Sequence, residues 1–186
     1  MKKNSNGGIE FKTNGLKENC YPHGEPIVFW DCQVGRVYTD NGTSIIAYKF
    51  HRNPHRAKDT IRGMIDLDPD NYSEEDAIHL FTRFDYNSNC FGYTFCGPNF
   101  WVDPVPDYAN KNTDTIDLIL KNDGYERIAR PTANSIALFR DDIRYTHVCQ
   151  TPDGERWISK PAIFKLQETT LESEMEKFGV PVFYKK

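Results

Sequence analysis

The sequence predicts a single domain of the α+β class, in which helices come first and a meander of short strands follows. Helix-forming patterns occupy residues 73–122, and short apolar runs separated by turn residues occupy residues 125–160. Helices and strands that are segregated along the chain are typical of α+β domains. The 186 residues contain neither an internal repeat nor a linker, so one domain, residues 1–186, accounts for the whole chain.

The N-terminal part predicts an extension built on a β-hairpin over residues 26–60. Apolar runs precede and follow the Asn41-Gly42 pair. This pair is a strong hairpin signal, because both residues tolerate the positive φ angles of a tight turn. Residues 1–8 are polar and glycine-rich, which predicts a loose tail.

Capping residues and apolar periodicity predict four helices. The first begins at Ser73, whose side chain can cap it, and the acidic residues that follow favour the positive end of the helix dipole. The other three are predicted over residues 90–98, 114–122 and 169–178.

Short apolar runs bounded by turn residues predict the strands of the C-terminal half. They lie at residues 125–129, 135–140, 145–150 and 156–160, with Pro152-Asp153-Gly154 as a turn and residues 181–185 as a final edge strand.

Composition limits the partners and the cellular location. A net charge of −4 and a pI near 5.7 argue against a nucleic-acid partner, which needs a basic face. No run approaches the roughly 20 apolar residues that span a bilayer, so we expect no membrane partner. The N-terminus lacks the apolar core of a secretory signal, which predicts a cytoplasmic protein or one exported without a cleaved signal peptide. The oligomeric state is left open.

Five cysteines, an odd number without a repeating spacing, do not form the pattern of a disulfide framework. Reduced thiols fit better, so each cysteine is either a small core residue or a functional thiol.

Cys90 has the strongest chemical signature of the five. It follows Asn87-Ser88-Asn89, which favours a helix cap, and the residues after it predict a helix. A helix N-terminus lowers the pKa of a thiol through its dipole and its unpaired N–H groups, which also stabilise an oxyanion. Cys90 is therefore the predicted nucleophile.

His147 is the predicted general base. It lies in the strand at residues 145–150, on the face that it shares with Tyr145 and Cys149. A histidine on a strand that follows a helix-capping cysteine suits the nucleophile-and-base logic of thiol hydrolases.

Four short motifs resemble the papain-like cysteine hydrolases of the NlpC type, in particular bacterial members with an Asn-Cys helix start and a closing Trp-x-Ser-Lys strand. The motifs are Asn89-Cys90-Phe91-Gly92-Tyr93, Ser135-Ile136-Ala137-Leu138-Phe139, Thr146-His147-Val148 and Trp157-Ile158-Ser159-Lys160. The resemblance covers residues from about 75 to the C-terminus and implies a hydrolase core over residues 73–186. It also implies a nucleophile helix packed on an antiparallel sheet, and hydrolysis or transfer at a peptide or isopeptide bond through a covalent acyl-enzyme, without a cofactor.

The third catalytic residue depends on strand register. Hydrolases of this type usually carry a His, Asn or Gln on the strand after the base, but this chain has no such residue there. A three-residue loop sets Ser159 opposite His147, whereas a two-residue turn sets Lys160 there. Lysine repels an imidazolium, so Ser159 is preferred. Gln167 and a backbone carbonyl are the alternatives.

The predicted substrate groove consists of Asn89, Tyr93, Trp101 and Trp157, and the expected partner is a peptide or a peptidoglycan-like substrate. Two other functions remain open, a catalytically inactive binding module and a protein deamidase or acyltransferase on the same fold.

A zinc site is the alternative to the thiol-hydrolase function that comes from a different functional class, but no metal site is predicted. The Asn53-Pro54 pair breaks the helix that would aim two of the candidate ligands in one direction. The candidates with ligand-like spacing are Cys20, His23, Cys32, His51 and His55.

Overall fold

The protein combines three α-helices with antiparallel sheets in the residues that the structure describes. This structure is a computed structural model, and it describes residues 1–17, 30–52, 66, 85, 87–161 and 164–186. Every strand pair in these ranges is antiparallel. The prediction of a mixed helix-and-strand fold with antiparallel sheets is thus confirmed.

The N-terminal sheet is built on the predicted hairpin. β2 (Trp30–Tyr38) pairs with β3 (Ser44–Arg52) around the Asn41-Gly42 turn, where Gly42 adopts a φ of 88° that glycine accepts without steric cost. A third strand, β1 (Phe11–Lys17), pairs with the other side of β2. It is not predicted from the sequence, because polar residues and a glycine interrupt its apolar pattern.

Residues 1–8 do not form the predicted loose tail. Met1 is buried, and its ammonium group lies 2.8 Å from the buried Asp123 carboxylate. The backbone N–H of Lys2 donates to the Tyr38 carbonyl at 2.7 Å. A buried ion pair and main-chain hydrogen bonds hold this segment against the domain, and a polar, glycine-rich composition does not reveal them.

A six-stranded sheet forms the C-terminal part. Its strands are β6 (Glu126–Ile128), β7 (Ser135–Arg140), β8 (Tyr145–Thr151), β9 (Trp157–Ser159), β10 (Gln167–Thr169) and β11 (Val182–Lys185). They lie in the order β10-β9-β8-β7-β11-β6. The prediction that the last strand lies at an edge is wrong, because β11 pairs with β7 on one side and with β6 on the other.

The helices begin where side-chain caps predict them or close to it. They are α1 (Cys90–Cys96), α2 (Thr115–Asn122) and α3 (Leu171–Phe178). Side chains of Asn89, Asp114 and Thr170 accept a backbone N–H in the first turn of these helices. α3 starts two residues later than predicted, because residue 169 ends β10 instead.

Two short strands, β4 (Pro106–Asp107) and β5 (Thr113–Asp114), flank a 3-10 turn at Tyr108–Asn110. The helix predicted from Ser73 and the part of the first hairpin strand before residue 30 lie outside the described residues.

Apolar side chains cover both faces of the six-stranded sheet. On one face, Leu138 and Val148 join a core with α1, α2 and the N-terminal sheet. On the other face, Phe139 and Cys149 pack with residues of α3. Successive residues of β7 and β8 therefore serve different cores, as the alternation of side chains along a strand requires. Within the described ranges, no helix is long and apolar enough to span a membrane.

Candidate active site

Cys90 is the first residue of α1, as predicted. The Asn89 side-chain oxygen accepts hydrogen bonds from the Gly92 N–H at 2.8 Å and from the Val102 N–H at 3.2 Å, which fixes the start of the helix. α1 packs on β8, and Cys90 joins the apolar core that contains Val148. The side chain is buried, with 5% of its surface exposed.

The thiol of Cys90 does not have the lowered pKa that the sequence predicts. Burial raises the pKa of Cys90 to about 12, although backbone N–H groups of Val148, Phe91 and Cys90 itself act in the opposite direction. The loss of hydration outweighs these three dipoles, so Cys90 is a neutral thiol at neutral pH. An adjacent base is then needed to make it a nucleophile.

His147 lies on β8 directly opposite Phe139 of β7. Its imidazole stacks on the ring of Phe178 in α3, with 4.3 Å between ring centroids and 17° between planes. Only 2% of the residue is exposed. The ring is thus fixed between the sheet and α3 rather than free to rotate.

One nitrogen of His147 is held by two polar side chains. Nε2 lies 2.9 Å from Ser159 Oγ and 3.0 Å from Glu174 Oε2. Because a carboxylate only accepts hydrogen bonds, Nε2 donates to Glu174 and the lone pair of the neutral ring is on Nδ1. Among the described residues, no side chain or backbone group forms a hydrogen bond with Nδ1. Nδ1 is therefore the imidazole nitrogen without a hydrogen-bond partner among these residues.

Glu174 is a site residue that the sequence does not predict. It is fully buried in α3, and its second oxygen, Oε1, accepts a hydrogen bond from Thr169 Oγ1 at 2.9 Å. One signal was present in the sequence. Glu174 follows Leu171 by three residues and precedes Phe178 by four, so it lies on the apolar stripe of the helix, where a charged residue needs a partner.

Ser159 reaches His147 in a register that differs from the predicted one. Ser159 pairs directly with Cys149, two residues along β8 from His147. The prediction that Ser159 lies opposite His147 is wrong, because the connection between β8 and β9 spans residues 152–156 rather than three residues. A shift of two residues keeps the same face, so the serine still lies diagonally within reach of the imidazole.

The two alternative side chains for the third residue, Lys160 and Gln167, form other contacts. Lys160 is buried, and its Nζ donates to the Asp85 carbonyl at 2.7 Å, away from the imidazole partners described above. Gln167 is exposed on β10, where it pairs with Ser159 through the backbone.

Cys90 and His147 border the same cavity, which has a volume of about 280 Å³. Two of the predicted groove residues, Asn89 and Trp101, also line it. The other two do not: Tyr93 is half-buried outside the lining, and Trp157 is buried in the core against Phe183. The structure therefore places the predicted nucleophile, the predicted base and half of the predicted groove on the lining of one cavity. Cys90 packs with Val148 on one face of the sheet, whereas His147 contacts Glu174 and Phe178 of α3 on the other face.

Burial lowers the pKa of His147 from its ordinary value of 6.5 to about 4, and the Glu174 carboxylate opposes this change. The imidazole is thus a neutral base at neutral pH. Since the folded pKa lies below the unfolded value, the unfolded chain binds this proton more tightly, and stability falls as the pH drops from 6.5 toward 4.

We expect the His147→Gln variant to lack this loss of stability. Urea unfolding of both proteins at pH 7.5 and pH 4.5 should show a decrease in the free energy of unfolding that is larger in the wild type by more than about 1 kcal/mol. Equal decreases in the two proteins would contradict the lowered pKa, since the other titrating groups are common to both.

The rival metal site is only partly described. Cys20, His23 and His55 lie outside the described residues, and among those that are described no group of three or more His, Cys, Asp or Glu residues could hold a metal ion.

Comparison with known proteins places the site residues in one matched segment. Residues 82–186 match the model of a family described as a domain of unknown function, DUF7689, and this range contains Cys90, His147, Ser159 and Glu174. No curated protein and no solved structure matches the chain.

Proposed function

The chain belongs to the DUF7689 family, a domain of unknown function, and we propose from its site residues that it is a thiol hydrolase. It cleaves a peptide or isopeptide bond through Cys90 and His147. The observation that supports this most directly is that both side chains border one cavity, although 57 positions separate them in the chain. A base with one nitrogen held by a carboxylate and the other unbound is arranged as a general base requires.

The proposed reaction starts from a neutral pair. Nδ1 of His147 takes the proton from the Cys90 thiol as the sulfur attacks the amide carbonyl, and the imidazolium that forms is stabilised by Glu174. The proton then passes to the amine, which leaves and gives a thioester on Cys90. Water attacks this acyl-enzyme with His147 as base, and the carboxylic acid and the free thiol are released.

The arrangement of elements supports the finer proposal of a papain-like fold of the NlpC type. The nucleophile is the first residue of a helix, that helix packs on an antiparallel sheet, and the base lies on the strand that the helix contacts. Ser159, on the strand after the base, and Glu174, in α3, contact Nε2 and so take the orienting role that His, Asn or Gln usually has in such enzymes. The proposed substrate is a peptide or a peptidoglycan-like amide, and the same chemistry serves a deamidase or an acyltransferase.

A catalytically inactive binding module is the second candidate. It is favoured by the deep burial of Cys90 and by its raised pKa, since a buried neutral thiol is also what a purely structural cysteine shows. The two candidates differ in whether an acyl group ever becomes attached to the sulfur.

The ranking of two variants tests the proposed roles. Turnover of a peptide and muropeptide library is measured by mass spectrometry. His147→Ala should reduce this turnover by at least about 100-fold, because it removes the general base. Ser159→Ala should reduce turnover by about 10-fold or less, because Glu174 still holds Nε2. Equal and complete losses in both variants would contradict these assignments.

A further inference from the structure

The cavity that Cys90 and His147 border has mostly apolar walls. Five of the lining residues are Phe91, Trp101, Val105, Phe164 and Phe178. Val105 is 38% exposed and Phe164 is 51% exposed, so apolar surface reaches the mouth of the cavity. No carboxylate is among the described residues that line it. An apolar cavity of this kind gains selectivity from the few polar groups that it contains.

Arg144 is the one lysine or arginine among the described residues of this lining. It is exposed and directly precedes β8. Its backbone N–H donates to Asp141 Oδ1 at 2.7 Å, and the same oxygen accepts the Ile143 N–H at 2.8 Å, which fixes the turn that carries it. The same two N–H groups and, to a lesser extent, the Arg144 charge lower the pKa of the Asp141 carboxyl group, so the guanidinium group lies within electrostatic range of Asp141. Arg144 is thus an exposed cation at the cavity, with the Asp141 carboxylate nearby.

We propose that the cavity takes an amide substrate that carries a carboxylate near the scissile bond, with Arg144 as the specificity-determining cation. This inference rests on the proposed hydrolase function. The guanidinium group is suited to a carboxylate because it offers parallel N–H donors to both oxygens.

Iodoacetate and iodoacetamide provide a matched pair of probes, because they deliver the same alkylating group and differ in carrying a carboxylate or a neutral amide. The rates at which each reagent alkylates Cys90 at pH 8 are measured by mass spectrometry of the peptide that contains it. We expect the iodoacetate-to-iodoacetamide rate ratio to fall about threefold in Arg144→Gln, the size expected for one exposed ion pair, with the iodoacetamide rate unchanged. Arg144→Lys should retain most of the ratio.

Arg127→Gln is the matched control, because Arg127 is an exposed arginine on β6 at the far edge of the sheet. It removes the same charge, and its ratio should equal that of the wild type. An unchanged ratio in Arg144→Gln, or an equal fall in Arg127→Gln, overturns the inference and leaves the proposed function intact. If the folded wild type is alkylated at Cys90 by neither reagent, the proposed function is overturned, and the inference falls with it.

Discussion

The Cys90→Ala variant is expected to lose all detectable hydrolysis, a decrease of at least about 1000-fold, because the attacking sulfur is removed. Acid quenching of the wild type during turnover of the peptide and muropeptide library should trap an acyl adduct on the peptide that contains Cys90. The variant should show no adduct, although it should bind the same substrates, since the rest of the cavity lining is unchanged.

Cys96→Ala is the control for this experiment. Cys96 is a buried cysteine at the other end of α1, and it is absent from the lining of the cavity. Its variant should keep turnover and acylation close to wild-type levels. Substrate binding without any acyl adduct on wild-type Cys90 would instead support the binding module.

The Gly92→Ala variant is expected to destabilise the fold severely, by about 3 kcal/mol or more. An added Cβ at this position would lie 1.8 Å from the Phe100 carbonyl oxygen and 2.7 Å from its carbon. Both are backbone atoms, so the clash can be relieved only by moving the segment that contacts α1. The direction of the change in the free energy of unfolding identifies the clash, because Gly→Ala in an unobstructed helix normally stabilises the helix by about 1 kcal/mol.

Urea unfolding of Gly92→Ala beside Gly8→Ala measures this effect. A Cβ at Gly8 would make only ordinary contacts, the shortest being 3.6 Å to the Asn4 side chain. The free energy of unfolding of that variant should therefore stay within about 1 kcal/mol of the wild type. A stable Gly92→Ala protein would show that Phe100 does not approach α1 as the structure describes.

Local sequence signals predict much of this structure because their physical causes are local. The Asn41-Gly42 pair determines a turn, and Asn89 caps the helix that begins at Cys90. Side chains alternate between the two faces of a strand, so a register shift of two residues leaves Ser159 on the same face as His147. The predicted contact between Ser159 and His147 is therefore present despite the shift.

Features that depend on distant parts of the chain were missed. The Pro152-Asp153-Gly154 segment suggests a tight turn, but Asp153 Oδ1 accepts the N–H groups of Glu155 and Arg156 and so extends the loop. The buried state of Glu174 depends on His147 and Thr169, which reach it from two different strands. The pKa of Cys90 depends on how completely the core excludes water, which a helix start alone does not reveal.

The interior position of β11 has a consequence for synthesis. β6 and β7 are close in the chain, yet in the sheet they are separated by β11, which the ribosome makes more than 40 residues after the end of β7. A nascent chain that ends after β8 lacks β11, the strand that lies between β6 and β7. The backbone groups of β6 and β7 that pair with β11 therefore stay exposed until residues 182–185 emerge. Nascent chains of this protein should therefore depend on chaperones until the last strand is inserted, because unpaired strand edges promote aggregation.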